Sequence, residues 1–225
     1  MPVKLAFAVV VACLVLWLAA SILRASRQRK AARAGYFDAV APLFDRVVRR
    51  IEPTGFARVT GHIGARAFDL QALPDSLTFR KLPTLWVMIT LPEPLPVDAT
   101  LDIMARPTGH EPFSHFASLP QSLPCPDDFP QGTAIRSDNA SEVPPQHLIT
   151  RHAGVFADPH VKELLVSPKG LRLVLLGDEA DRGRYLIFRD AEVGLAPLSP
   201  SRLSPLLQSL LTLRDDLLEN AGKTR

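Results

Sequence analysis

Apolar positions run unbroken from Leu5 to Leu23, nineteen residues without a charge in which only Ser21 is plainly polar. At about 1.5 Å per residue this run spans roughly 29 Å, the thickness of a bilayer's hydrocarbon core, and it predicts a transmembrane helix. Two rival patterns lie inside it. Ala19-Ala20-Ser21 offers a signal-peptide cut, but the apolar run exceeds the usual h-region of such peptides. Val10-Val11-Ala12-Cys13 has the outline of a lipid-attachment site, but Cys13 sits mid-run and reads as a small hydrophobe. The expectation is an uncleaved anchor over residues 1–23.

Beyond it the pattern changes period. Tyr36 to Ile51 places apolar residues at 36, 37, 40, 43, 44, 47, 48 and 51, which predicts an amphipathic helix with Pro42 as a kink or fresh start. Strand alternation then predicts strands at 57–63, 68–72, 77–79 and 97–103. The continuous run Leu85–Ile89 reads as a central strand buried on both faces. The short connections favour an antiparallel meander. Residues 90–146 hold 11 of the 21 prolines and predict mostly loop. Asp158-Pro159 predicts a short helix to about Val166. Leu171–Leu176 and Tyr185–Phe188 predict strands about a charged hairpin loop, Gly177 to Gly183. Leucines from 203 to 218 predict a closing helix capped by Ser204 with Pro205 in its first turn. The fold class expected is α+β, a mainly antiparallel sheet with flanking helices over residues 36–225, joined to the anchor by a basic segment at 24–35.

Charge decides the orientation. Residues 24–50 carry eight cations and two acids, a net +6, whereas residues 51–225 sum to −4 within the chain's overall +3. The basicity is therefore local, which removes the electrostatic case for nucleic-acid binding by the domain. Arg24, Arg27, Arg29, Lys30 and Arg33 flank the apolar run on one side, against Lys4 on the other. Lys/Arg excess stays on the cytoplasmic side, so the domain is expected in the cytosol. The same cluster suits anionic headgroups, so membrane lipids are the expected partners, beside a protein partner of unknown identity. Twenty Arg against six Lys, with much Ala, Leu and Pro, reads as a GC-rich bacterial genome, and the membrane expected is a bacterial inner membrane.

Candidate chemistry is sparse. His110-Glu111 with His115 has five-residue spacing where a zincin helix needs four, and Pro112 interrupts it. No Gly-x-Ser-x-Gly elbow, Walker A or Gly-x-Gly-x-x-Gly occurs, so no cofactor is expected. Cys125, the one domain cysteine, stands between prolines with no adjacent base; Asp127 and Asp128 raise rather than lower its pKa. The acidic loop Asp178-Glu179-Ala180-Asp181 lacks the alternating ligands of an EF-hand. The pattern favours a non-enzymatic binding or scaffolding module at the membrane, with Phe113, His115, Phe116 and Phe129 as the candidate partner surface. The alternatives are a tethered enzyme using His110, His115, Cys125, Asp127 or Asp128, or an envelope-facing domain with the topology reversed.

Overall fold

The computed structural model describes residues 2–75, 82–188 and 192–224. Helix α1 (Pro2–Ala34) runs 33 residues and enters a 3-10 turn at Asp38–Leu43. Strands β1 (Arg46–Ile51), β2 (Ala57–Ile63), β3 (Arg66–Asp75) and β4 (Thr84–Leu91) follow as an antiparallel meander. Next come β5 (Leu101–Ala105), β6 (Gln121–Leu123), β7 (Thr133–Ser137), α2 (Gln146–Arg151), β8 (Val161–Ser167) and β9 (Gly170–Glu179). Helices α3 (Arg182–Phe188) and α4 (Pro200–Thr224) end the chain. The described strands form one sheet in the order β1-β2-β3-β4-β9-β8-β5-β7-β6, with every neighbouring pair antiparallel. The architecture is α+β.

Register gives the sheet two unlike faces, because side chains alternate across a strand. Val59, Leu70, Ile89, Leu173, Leu164, Ile103 and Ile135 stand side by side over seven strands on one face. One residue along, the row on the other face reads Thr60, Asp69, Thr90, Arg172, Leu165, Asp102 and Arg136. The apolar face carries the main core. Leu203, Leu206, Leu207, Leu210, Leu213 and Leu217 of α4 cover it, together with Tyr36, Phe37, Val40, Phe44 and Phe156. On the second face, Phe113 and Phe116 from the segment after β5 fold over Met104 and Val174 as a smaller cluster.

Several elements differ from the sequence pattern. The helix expected over 36–51 is a 3-10 turn and then β1. Pro42 sits inside that turn, and Asp45 turns its carboxylate to the Gly64 N–H (2.8 Å), which starts the β1–β2 pairing. The β-branched Val47, Val48 and Ile51 suit the strand. The helix expected at 158–166 is β8. Asp158 does cap, but it accepts from the His160 N–H as an isolated turn (2.9 Å), and Ser167↔Gly170 closes a tight hairpin that pulls 161–167 into the sheet. Tyr185–Phe188 belongs to α3, and β9 runs on to Glu179 where a hairpin loop was expected. The proline-rich stretch contains β5, β6 and β7. Its prolines flank these strands, and the segment expected at 97–103 pairs only from Leu101 to Ala105. Leu85–Ile89 alternates buried with half-buried, so β4 is not equally covered on its two faces. Helix α4 starts at Pro200, where the Ser199 hydroxyl receives the Ser201 N–H (3.3 Å); this leaves Pro205 inside the helix. The strand expected at 77–79 lies outside the described residues.

Candidate functional site

Among the described residues, the apolar half of α1 packs against nothing. Leu16 is 70% and Trp17 67% exposed, and an 18-residue window there reaches a mean hydropathy of 2.2 with none of it buried. This helix is long and apolar enough to cross a membrane. Exposed apolar surface of this extent marks an interaction site, and a bilayer matches its length.

The helix continues through the basic segment without a break. At 3.6 residues per turn, Arg24, Arg27, Arg29, Lys30 and Arg33 spread over about 220° of the circumference and make a broad, open collar rather than a stripe. The lower collar is bound to the domain. Arg29 pairs with Glu192, and the Arg33 guanidinium stands 5.6 Å from the centre of the Phe56 ring. Two residues past the helix, Tyr36 and Phe37 are fully buried in the core, and the Tyr36 carbonyl accepts the Leu198 N–H at 2.9 Å. Burial, with Asp178 nearby, pushes the Tyr36 phenol up to about 12, so it stays neutral. Only Gly35 separates helix from core.

The second face of the sheet holds the buried polar chemistry. Asp102 of β5 and Glu163 of β8 are 1% and 0% exposed. Arg172 Nε donates to Glu163 Oε2 at 2.9 Å, and Ser114 Oγ donates to Asp102 Oδ2 at 3.2 Å. The remaining oxygens, Asp102 Oδ1 and Glu163 Oε1, have no donor among the described residues. Burial first, and then the facing Glu163 carboxylate, push Asp102 from 3.8 to about 8. A proton held by Asp102 and donated to Glu163 supplies the donor both oxygens lack. Arg136, the neighbour of Asp102 on β7, is turned away to the Ala117 and Leu119 carbonyls.

Beside this pair lies a cleft of about 360 Å³, walled by Trp86, Phe113, Leu176 and Glu111. A bulge between Val161 and Glu163 leaves Lys162 as the extra residue. Lys162 is buried, bonds to the Arg106 carbonyl and stands 3.6 Å from Glu111. Desolvation alone would raise Glu111. The Thr108 N–H and hydroxyl, Lys162 and the Gly109 N–H outweigh it and hold the carboxyl below its usual range. Arg106 itself has φ of +48°, a conformation side chains rarely adopt, which aims its carbonyl at Lys162. These contacts tie the 106–113 segment to β8. Asp75 and Glu179 add carboxylates to the cleft, and among the described residues the Trp86 indole N–H there has no partner.

The residues singled out from sequence do not form one site. Phe113, Phe116 and Phe129 are buried at 5–6% exposure, Phe129 against Phe156 in the main core. They therefore present no aromatic patch, and only His115 of that group is exposed. Of the enzyme candidates, His110 lines the cleft beside Trp86. Cys125, Asp127 and Asp128 are exposed on the segment after β6, whose prolines edge a separate hollow. Burial and then Asp127 raise the Cys125 thiol, against the direction a nucleophile needs. Among the described residues, no three His, Cys, Asp or Glu side chains are grouped to hold a metal ion. Sequence reasoning missed Asp102, Glu163, Arg172 and Lys162. Their signal was the polar position of a strand alternation, legible at Asp102 but hidden in Val161–Val166 once that segment was read as helix. No family model, curated protein or solved structure matches the chain.

Proposed function

We propose that this chain is a single-pass membrane protein whose α+β domain stands at the cytoplasmic face of a bacterial inner membrane and serves as a binding module there. The observation that carries the reading is the unbroken passage of α1 from an unburied apolar stretch, through a cationic collar, into the buried Tyr36–Phe37 corner of the core. A domain joined through a flexible linker samples many positions, but one joined through Gly35 alone keeps a fixed face toward the bilayer. From Leu23 to Ala34 the helix rises about 16 Å, so the domain sits just outside the headgroups. The collar supports cytoplasmic placement by the excess of Lys and Arg on that flank.

The surface this reading assigns to a partner is the cleft beside Trp86. An aromatic wall, an unpartnered indole N–H and the carboxylates of Asp75, Glu111 and Glu179 stand together there, an arrangement suited to a cationic, partly apolar segment.

Extraction of membranes at high pH and high salt tests the anchor. The full chain should stay in the membrane pellet, and replacement of Leu14, Leu16 and Leu18 by Glu should release it. Full release of the unaltered chain by salt would defeat the reading.

A further inference from the structure

Between the end of β9 and α4 the chain makes an excursion that climbs α1. The Asp178 carboxylate accepts the Gly194 N–H at 2.7 Å and closes its base. Leu198 is bonded to Tyr36, and Gly194 lies under the Phe56 ring, where a Cβ would come within 2.5 Å of it; that ring also carries Arg33. Glu192 reaches Arg29. Read from 198 back to 192, the chain thus moves from the end of α1 to its collar, toward the apolar span. Helix α3 ends four residues before Glu192. It exposes Leu186 (60%) and Ile187 (73%), the most exposed large apolar side chains of the described chain outside α1 apart from Val48 on edge strand β1. Arg182 and Arg184 lie one turn away on the same helix.

The heights agree with a membrane contact. Arg29 lies six residues past Leu23, about 9 Å beyond the hydrocarbon edge, while the headgroup layer is about 5–7 Å deep on each side. Four residues reach at most about 13 Å, so α3 can meet the boundary where interfacial helices lie. We propose that α3 is an interfacial membrane helix. Leu186 and Ile187 enter the headgroup–acyl boundary of the leaflet nearest the domain. Arg182, Arg184 and the collar cations Arg24, Arg27 and Lys30 face anionic lipid phosphates there. This gives the domain a second lipid contact beside its anchor, fixing its rotation about α1 as well as its height. The inference rests on the membrane-anchored reading.

Depth-dependent quenching separates the two. In a background of Cys13→Ala and Cys125→Ser, the full chain receives one cysteine, Leu16→Cys or Ile187→Cys. Each variant is labelled with an environment-sensitive fluorophore and reconstituted in vesicles of phosphatidylcholine and phosphatidylglycerol. Spin-labelled lipids then quench at the headgroup or at the acyl centre. The expected result is loss of emission at 187 with the shallow quencher and at 16 with the deep one. Loss at 16 with none at 187 overturns the interfacial helix and leaves the anchor standing. No loss at 16 overturns the anchor and α3 with it. A label at 187 that lipids do not quench, but that is shielded from aqueous iodide in proportion to protein density, identifies a second copy as the occupant and also overturns the proposal.

Discussion

Replacing Asp102 with Asn removes one titration from the buried face while keeping the side chain's shape. In the folded chain the Asp102 carboxyl binds its proton up to about pH 8, whereas an unfolded aspartate releases it near 3.8. Between those values the native state holds one more proton than the unfolded state. Its contribution to stability is therefore complete below pH 3.8 and is lost as pH rises toward 8, at about 1.4 kcal/mol per pH unit. From pH 5 to pH 7 this group alone should cost the wild type about 3 kcal/mol. The Asp102→Asn variant has no such slope, and the amide it introduces can donate to Glu163 as the protonated carboxyl does. Urea unfolding of both proteins in the same detergent micelles, at pH 5, 6 and 7, measures the difference. Titrating groups remote from Asp102 are common to both and cancel. The wild type's advantage over the variant should shrink by about 3 kcal/mol across that range. A difference that stays flat with pH would show that Asp102 is ionised in the fold and that no proton is shared with Glu163.

Three further substitutions test the packing. Arg172→Ala leaves Glu163 buried without its cation and should destabilise by about 3–5 kcal/mol, with Glu163→Gln in the same chain restoring much of the loss; no restoration would mean Arg172 acts through its own packing. Gly61→Ala puts a Cβ 2.4 Å from the Phe44 ring and should cost about 1–3 kcal/mol, while Gly154→Ala, with open space around its Cβ, should stay within about 0.5 kcal/mol; equal midpoints in a thermal melt would contradict the close approach. Phe156→Ala empties the contact with Phe129, ring centres 5.8 Å apart, and should lower stability by about 3–5 kcal/mol in the same melt.

What could be read from the chain follows from which signals are local. The apolar N-terminal helix was legible because nineteen uncharged residues need no tertiary context, and so was α4, whose leucines keep a helical period. Strands β2 and β3 showed clean alternation because one face is buried against the core and the other is half-wet, whereas β4 read as a continuous apolar run because Trp86 and Met88 on its second face pack against the smaller cluster. Other elements turned on contacts distant in sequence. Val161–Ser167 follows a capping aspartate and a proline that read as a helix start, yet pairing with β9 on one side and β5 on the other decides it. Tyr36–Ile51 happens to space its apolar residues at helical intervals, and only the pairing with β2 reveals β1. Phe113 and Phe116 of the proline-rich stretch turn inward because the second face of the sheet needs a cover over Met104 and Val174, while Phe129 turns into the main core against Phe156. The carboxyl pair was out of reach from sequence, since Asp102 and Glu163 are sixty-one residues apart and meet only through the β5–β8 register.

The central claim is that α1 anchors this chain with its domain on the cytoplasmic side. Reporter fusions after Arg225, alkaline phosphatase in one and a fluorescent protein that matures only in the cytosol in the other, test it most directly. A cytoplasmic domain gives fluorescence without phosphatase activity, and the opposite pattern once Arg24, Arg27, Arg29, Lys30 and Arg33 are replaced by Glu. Phosphatase activity without fluorescence in the unaltered chain would place the domain on the opposite side of the membrane and overturn the orientation.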